Sequence, residues 1–504
     1  MTVLALIGIG VALYLHFRRT KLPNVVVIVV DTLRADRLGC YGYPRPTSPE
    51  IDELARGGTL FTECVAQAPW TRPSMTSMLT GTYLMRVRTW PEDKHTLLAE
   101  TFENAGYSTL GFSANVLLAK RQHFDRGYDH YDASPGPADN DGKPFESLCK
   151  AIWNPLERAL DGNAGGRKKP LFLFVQPFDP HFSYQPHPQY DAQLPLDGAE
   201  PVSPAGWHAE QLARFADLVP EDVRASTIAA WERERGLYDQ EVRYTDEWIG
   251  KLLARLRELH VLDDAIVAIV SDHGEGLYQH LNGNTDENVR GVITDPKFGV
   301  THACFQGHAR HVYEEAIRTP FILWGRGVPA NVRSDEVVEN VDLYPTLCGL
   351  AGIEPPKLAD GRPQLEGRDL RGLFAGGAAA EALRRDFSFS YHEHVATIRE
   401  HSTGLKLIAA TCDFTQPSAG VGHELFHLPS DPDERKNLWS ERPDDVARLL
   451  ARLQRMIIDH PAPSTTGIEA PEDVKAMEGL GYIGVTGSTK AANASVECEH
   501  MSGK

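Results

Sequence analysis

The residues of this chain best suited to chemistry stand at the ends of apolar runs and at one helix-start signal. In Ala68-Pro69-Trp70-Thr71-Arg72-Pro73-Ser74-Met75-Thr76-Ser77-Met78-Leu79-Thr80-Gly81, Thr71 lies near a capping position, Pro73 suits a first helical turn and Gly81 supplies a stop. A hydroxyl there stands beside unpaired N–H groups and the positive end of a helix dipole, a setting that welcomes a phosphoryl or sulfuryl anion. The same threonine serves equally as an ordinary N-cap. Asp31 closes the run Val25 to Val30, where open α/β sheets place their sites, although many such residues are only caps. Ser271-Asp272-His273-Gly274-Glu275 sets a carboxylate beside an imidazole between glycines, which suits a two-ligand metal corner or a metal-free strand end. Asp179-Pro180-His181 follows another apolar run, and Gly307-His308 ends a long polar stretch.

The elements that must position these groups are an alternation of apolar strands and helices. Val25 to Val30, Leu171 to Gln176 and Ala265 to Val270 read as central parallel strands buried on both faces, and Phe321 to Gly325 as a further strand. Pro49 to Arg56, His95 to Ala105 and Ala229 to His260 read as helices, and Tyr107 to Phe112 as a strand ending near Asn115. This alternation predicts an α/β doubly wound, mostly parallel sheet with helices on both faces. Gln185 to Ala225 and Gln279 to Gln306 read as long loops and candidate sources of specificity. The Ala/Gly stretch Gly376 to Ala382 reads as a linker. Beyond it, Phe387 to Tyr391, Leu405 to Ala409 and Glu424 to Leu428 predict a small antiparallel sheet, and Asp444 to Asp459 a helix packed on it. The expected division is 1–21, an N-terminal segment; 22–375, a catalytic domain; 383–484, a C-terminal subdomain; and 485–504, a disordered tail.

Val3 to Phe17 is apolar and followed by Arg18-Arg19-Thr20-Lys21. It is short against the about 20 residues of a full span and has no basic flank before it. A membrane anchor or export segment is favoured over a buried helix, and the orientation in the membrane stays open. With 504 residues, 42% hydrophobic and 24% charged, the chain has the makings of a large core. Its net charge of −18 argues against a general nucleic-acid binder. Seven scattered cysteines form no CxxC pair, so neither a zinc knuckle nor a disulfide framework is indicated.

These segments, in this order, resemble the sulfatase family of the alkaline phosphatase superfamily. The resemblance rests on Asn24 to Asp36 with Gly39-Cys40-Tyr41-Gly42, Thr71 to Gly81, Asp179-Pro180-His181, Ser271 to Glu275, Gly307-His308 through Arg318-Thr319-Pro320, and Glu424 to His427 with Asp431 to Asn437. It implies an alkaline-phosphatase-like fold with a small second subdomain. It also implies a divalent metal held by Asp31, Asp272, His273 and the Thr71 oxygen, with zinc or manganese favoured over calcium by the imidazole and the reduced oxygen count. His181 and His308 are the candidate groups for protonating the leaving oxygen or binding non-bridging oxygens, or with Asp179 for a second metal. Asn115 is either a contact to a substrate oxygen or a loop cap.

The chain departs from the family at telling positions. Thr71 stands where sulfatases carry the cysteine or serine that becomes formylglycine, Met75 stands at the arginine position, and Thr32 replaces a second consecutive Asp. The lysine and histidine that contact sulfate are not recognisable around Gly106 to Asn115. A threonine cannot give the aldehyde, so the resemblance implies attack by the unmodified hydroxyl, as in superfamily members that transfer phosphoryl groups. Three expectations follow: a phosphate mono- or diester hydrolase or transferase working through a Thr71-linked intermediate, a sulfuric ester hydrolase using unmodified Thr71, or a non-catalytic, membrane-tethered binder of an anionic glycan or lipid headgroup.

Overall fold

A computed structural model describes residues 22–83, 90–133, 144–161, 169–196, 221–281, 294–295, 299–300, 304–308, 311–392, 395–410 and 423–459. The N-terminal segment 1–21 and the tail 485–504 lie outside the described residues, as does most of the stretch from Gln185 to Ala225. Among the described residues no helix is long and apolar enough to cross a membrane.

The main sheet runs in the order Val332–Ser334, Thr59–Val65, Arg318–Gly325, Ala265–Ser271, Asn24–Val30, Leu171–Gln176, Ser108–Ser113, His130–Asp132, with Val338–Glu339 also paired to Thr59–Val65. The five strands from Ala265–Ser271 to His130–Asp132 are mutually parallel. Arg318–Gly325 runs antiparallel to both its neighbours, an arrangement that its apolar sequence does not reveal. The β-branched run Val25 to Val30 is buried throughout because helices cover both faces. Asn24 pins the start of this strand, donating from Nδ2 to Val261 O (2.7 Å) and accepting Leu171 N at Oδ1 (2.9 Å).

The helix Pro49–Arg56 falls where the sequence places it. The helix Thr71–Thr80 begins with Thr71 as its first helical residue, and Trp70 occupies the cap. All ten residues are buried, so the helix needs no polar face, and Thr76 and Thr80 return their hydroxyls to Arg72 O (2.8 Å) and Thr76 O (2.7 Å). Gly81 ends it in the left-handed region at φ 67°, as the stop signal required. The covering helix is long, Glu221–Glu258.

Several expectations need correction. The polar stretch from Gln279 to Gln306 is not loop throughout, because its ends belong to an antiparallel hairpin of Gly276–Leu281 with Cys304–Gly307. Within the Ala/Gly stretch Gly376 to Ala382, Gly377–Glu381 forms a short helix, because alanine favours helix wherever the backbone allows. The C-terminal sheet has four strands, Phe387–His392, Val395–Glu400, Leu405–Ala410 and Glu424–His427, and Val395–Glu400 completes the ladder between two strands expected from sequence. The helix Pro443–Asp459 packs on it through Val446, Leu449 and Leu453. This sheet meets the main domain through Val395, Ile408, Phe426 and Leu428 against Val312, Tyr313, Ala316 and Ile317.

Beside that apolar seam lies a buried charged junction. His280 Nδ1 is 2.5 Å from Glu315 Oε1, and Lys406 Nζ is 2.8 Å from both Glu314 Oε1 and Glu434 Oε1. Glu315, then Glu434 and Glu424, outweigh burial and raise His280 from 6.5 to about 9, while His280 and His311 help hold Glu315 down at about 2. The raised histidine stabilises the fold fully below its unfolded value and loses that contribution as pH rises through about 9. The depressed Glu315 contributes above its unfolded value and loses it as pH falls through about 2. A loss on the order of 1–3 kcal/mol is therefore expected from neutral pH to above the His280 value, read as a fall in Tm that His280→Phe largely removes.

Candidate active site

Four strand ends and one helix start converge at the carboxyl edge of the parallel strands. The register pairs Val30 with Ser271, so Asp31 and Asp272 emerge side by side, and Ser113 with Gln176, which brings Asn115 to the next strand's end. Asp31, Asp272, His273, Thr71 and Asn115 are all fully buried. Thr71 Oγ1 is 3.2 Å from His273 Nε2, 3.5 Å from Asp31 Oδ1 and 3.3 Å from Asn115 Nδ2. Asn115 is a cap, one of the two readings of its position: Oδ1 accepts Leu117 N (2.9 Å) at the start of a short turn, while Nδ2 donates to Asp31 Oδ2 (2.7 Å).

Asp31, Asp272 and His273 offer ligand atoms that all lie within 4.8 Å of one another. His273 Nδ1–H donates to Gly274 O (2.9 Å), which leaves Nε2 as the lone-pair nitrogen, 3.6 Å from Asp31 Oδ1 and 3.5 Å from Asp272 Oδ2. Asp272 Oδ2 is buried without a hydrogen-bond partner. Burial, then the charge of Asp272, drives the Asp31 carboxyl well above its usual range, and burial pushes Asp272 up to about 7 and His273 down. Two buried carboxylates facing a neutral imidazole, with an orphaned oxygen between them, fit a divalent cation, which would offset the repulsion that now opposes their ionisation.

His181 and His308 stand beside this group. The His308 ring lies 4.5 Å from that of His273 and 4.8 Å from that of His181. His308 Nδ1 is 2.9 Å from Glu275 Oε1, a contact made because Gly307 pairs with Gly276 across the hairpin and sets the flanking residues together. His181 Nδ1–H donates to Phe182 O (2.5 Å), and burial, then His308, pushes its pKa down to about 3. It is a neutral imidazole whose Nε2 accepts. Asp179 does not join them: its Oδ2 accepts Phe145 N (2.8 Å) at the start of the helix Phe145–Asp161, and it belongs to no metal-type group among the described residues.

Two further residues belong to the site without having been assigned a role from sequence. Glu275 orients His308, and Gln176 receives Ser113 Oγ at Oε1 (2.7 Å) and reaches Asp31 Oδ2 with Nε2 (3.5 Å). Both stand beside strand termini, the one sequence signal that marks them. Met75 is a core residue, packed with Met78 and Phe61, and gives the site no charge. Thr32 is buried with φ 53° and gives its N–H to Asp272 Oδ1 (3.3 Å).

Residues 23–353 match the sequence profile named Sulfatase, and residues 302–460 that of the N-sulphoglucosamine sulphohydrolase C-terminal region. The chain belongs to the sulfatase family. That family lies within the alkaline phosphatase superfamily and includes sulfate ester hydrolases. The chain is 26% identical to the N-acetylgalactosamine-6-sulfatase of Sus scrofa over 66% of its own length and 63% of that protein, and so spans less than two thirds of this relative. It is 23% identical to the arylsulfatase K of Bos taurus over 88% of its length and 83% of the relative. Its fold is similar to that of a protein solved with its substrate D-glucosamine-2-N,6-O-disulfate (TM-score 0.63, 19% identity, 87% of this chain and 99% of that one). It is also similar in fold to the phosphonate monoester hydrolase of Agrobacterium radiobacter (TM-score 0.60, 18% identity, 87% and 95%). The sulfatase family thus supplies the mostly parallel sheet and the small C-terminal sheet seen here.

Proposed function

We propose that this sulfatase-family protein cleaves a singly charged ester, a phosphodiester or phosphonate monoester ahead of a sulfate monoester, through a covalent adduct on unmodified Thr71. The observation that carries the reading is the Thr71 hydroxyl, fixed as the first residue of a helix and 3.2 Å from His273 Nε2. With one hydroxyl, Thr71 cannot expel a bound group as a hydrated aldehyde does, so the adduct must be cleared by attack at phosphorus or sulfur. Thr71 Oγ1 faces Asp31 Oδ1, Asn115 Nδ2 and His273 Nε2, and the phosphonate monoester hydrolase that shares this fold acts on a singly charged phosphorus ester.

A divalent ion held by Asp31, Asp272, His273 and Thr71, with zinc or manganese favoured by the imidazole, would lower the hydroxyl pKa and polarise the ester. The chain's own groups do the rest. Thr71 Oγ1, its own proton lost to solvent beforehand, forms the bond to phosphorus as the bond to the leaving oxygen breaks, and that oxygen takes a proton from His308, whose Nδ1 is held by Glu275. Water, or an acceptor hydroxyl in the case of transfer, then attacks phosphorus and releases the Thr71 oxygen, giving its proton to the His308 left neutral by the first step and so restoring it. Asn115 Nδ2 steadies both Asp31 and the Thr71 oxygen.

Steady-state kinetics of metal-loaded protein on matched aryl phosphodiester, phosphonate monoester, phosphomonoester and sulfate esters tests the substrate class. A kcat/KM highest for the phosphodiester or phosphonate supports the reading, and a preference for the sulfate ester favours the sulfuric ester hydrolase. Absence of turnover on all four, with metal bound, leaves an anion-binding protein. The acid role has its own signature. His308→Gln is expected to slow esters with poor leaving groups by about 100- to 1,000-fold while costing a nitrophenyl ester less than about 10-fold. Equal losses on both would remove His308 from that role.

A further inference from the structure

Several charged groups at the junction with the C-terminal sheet bear on the hairpin that carries His308. Glu275 immediately precedes the strand Gly276–Leu281, and His308 immediately follows its partner Cys304–Gly307. The short helix Glu314–Ile317 clasps the near end of this hairpin: Gly274 N donates to Ala316 O (2.8 Å) and Glu275 N to Glu315 O (2.9 Å). A Cβ at Gly274 would lie 1.9 Å from Glu315 O, so only glycine allows this approach. The Glu315 carboxylate holds the far end through His280 Nδ1.

His280 then reaches across to the C-terminal part of the chain. Its Nε2 donates to Asp433 O (3.1 Å) and Glu434 O (3.3 Å), and its ring stacks on Tyr313 at 3.8 Å and 7°. Glu434 returns the contact, accepting Glu314 N at Oε2 (2.6 Å) while Lys406 bridges it to Glu314, and Tyr313 OH donates to Glu424 Oε2 (2.7 Å). His280, Glu315 and Glu434 are close enough to hold a metal ion. Unlike the carboxylates around Asp272, however, they already have cations between them, Lys406 and the His280 imidazole itself. The cluster is therefore a latch between two parts of the fold.

We infer that His280 is a positioning residue through which the C-terminal sheet holds the Glu275–His308 pair in place. The inference rests on the proposed role of His308, but the hairpin's dependence on the latch can be read without any turnover. His280→Phe keeps the stacked ring and removes both nitrogen contacts. His280→Phe/Glu315→Gln also avoids leaving a lone buried carboxylate, so it separates lost positioning from general destabilisation. Hydrogen exchange by mass spectrometry on the full chain should show amides of 276–281 and 304–308 exchanging at least about 10-fold faster in both variants, with the central strands unchanged. The kcat on an aryl phosphodiester should fall about 10- to 100-fold, with KM within about 3-fold and metal content unaltered. Unchanged exchange in the hairpin, or faster exchange confined to 423–437, would overturn the inference whether or not the protein turns over an ester. Faster hairpin exchange in a protein whose wild type has no esterase activity would sustain the latch and discard the catalytic reading of His308.

Discussion

Replacing Thr71 with alanine is expected to lower aryl ester turnover at least about 10,000-fold, the scale on which an enzyme loses its nucleophile. The fold should survive. Thr71 is the first helical residue, the cap is Trp70, and no side-chain cap hydrogen bond is lost with the Thr71 hydroxyl. What disappears is the oxygen that faces His273 Nε2, Asp31 Oδ1 and Asn115 Nδ2. Thr71→Ser restores an oxygen in the same place but frees χ1, which the β-branched threonine restricts, so it should retain activity within about 100-fold of wild type. Near-equal activity of the alanine variant in purified protein, checked against the serine variant, would remove Thr71 from the chemistry.

The second large effect concerns the two carboxylates. Asp31→Asn/Asp272→Asn is expected to abolish uptake of zinc or manganese, measured as bound metal per chain after dialysis, and to abolish activity with it. The stability change has a sign that distinguishes a metal site from a structural pair. In wild type, metal at about 1,000 times its Kd adds about 4 kcal/mol to the folded state, and a chelator removes it. In the double variant Tm should ignore both metal and chelator. Its value should match or exceed that of chelated wild type, because burial and mutual repulsion oppose ionisation of both Asp31 and Asp272. A double variant that still gains stability from metal would place the ion elsewhere.

Much of the frame is legible in the sequence because its physics is local. The run Val25 to Val30 has no polar face and so must be covered on both sides, and Gly81 is where a chain can turn left-handed to end a helix. Asp31, Asp272 and His273 stand out for the same reason, as polar groups directly following such runs. The remainder depends on pairings across long stretches of chain. Glu275 takes its place beside His308 only through the pairing of Gly307 with Gly276, and Gln176 meets Ser113 only through parallel register. Asp179 has the same local setting as Asp31 yet caps a helix that begins at Phe145, a partner no spacing could reveal. Val395–Glu400 combines Ala396, Arg399 and Glu400, weak strand formers, and is a strand because Phe387–His392 and Leu405–Ala410 flank it.

Thr71 as nucleophile is tested most directly by intact-protein mass spectrometry of metal-loaded protein quenched in acid during turnover of an aryl phosphodiester, with a matched sulfate ester in parallel and Thr71→Ala as control. Attack by the Thr71 hydroxyl predicts an unmodified threonine at rest and, during turnover, a phosphoryl adduct that maps to Thr71 and is absent from the control. A sulfuryl adduct alone, or phosphodiester turnover undiminished in the Thr71→Ala protein, would contradict it.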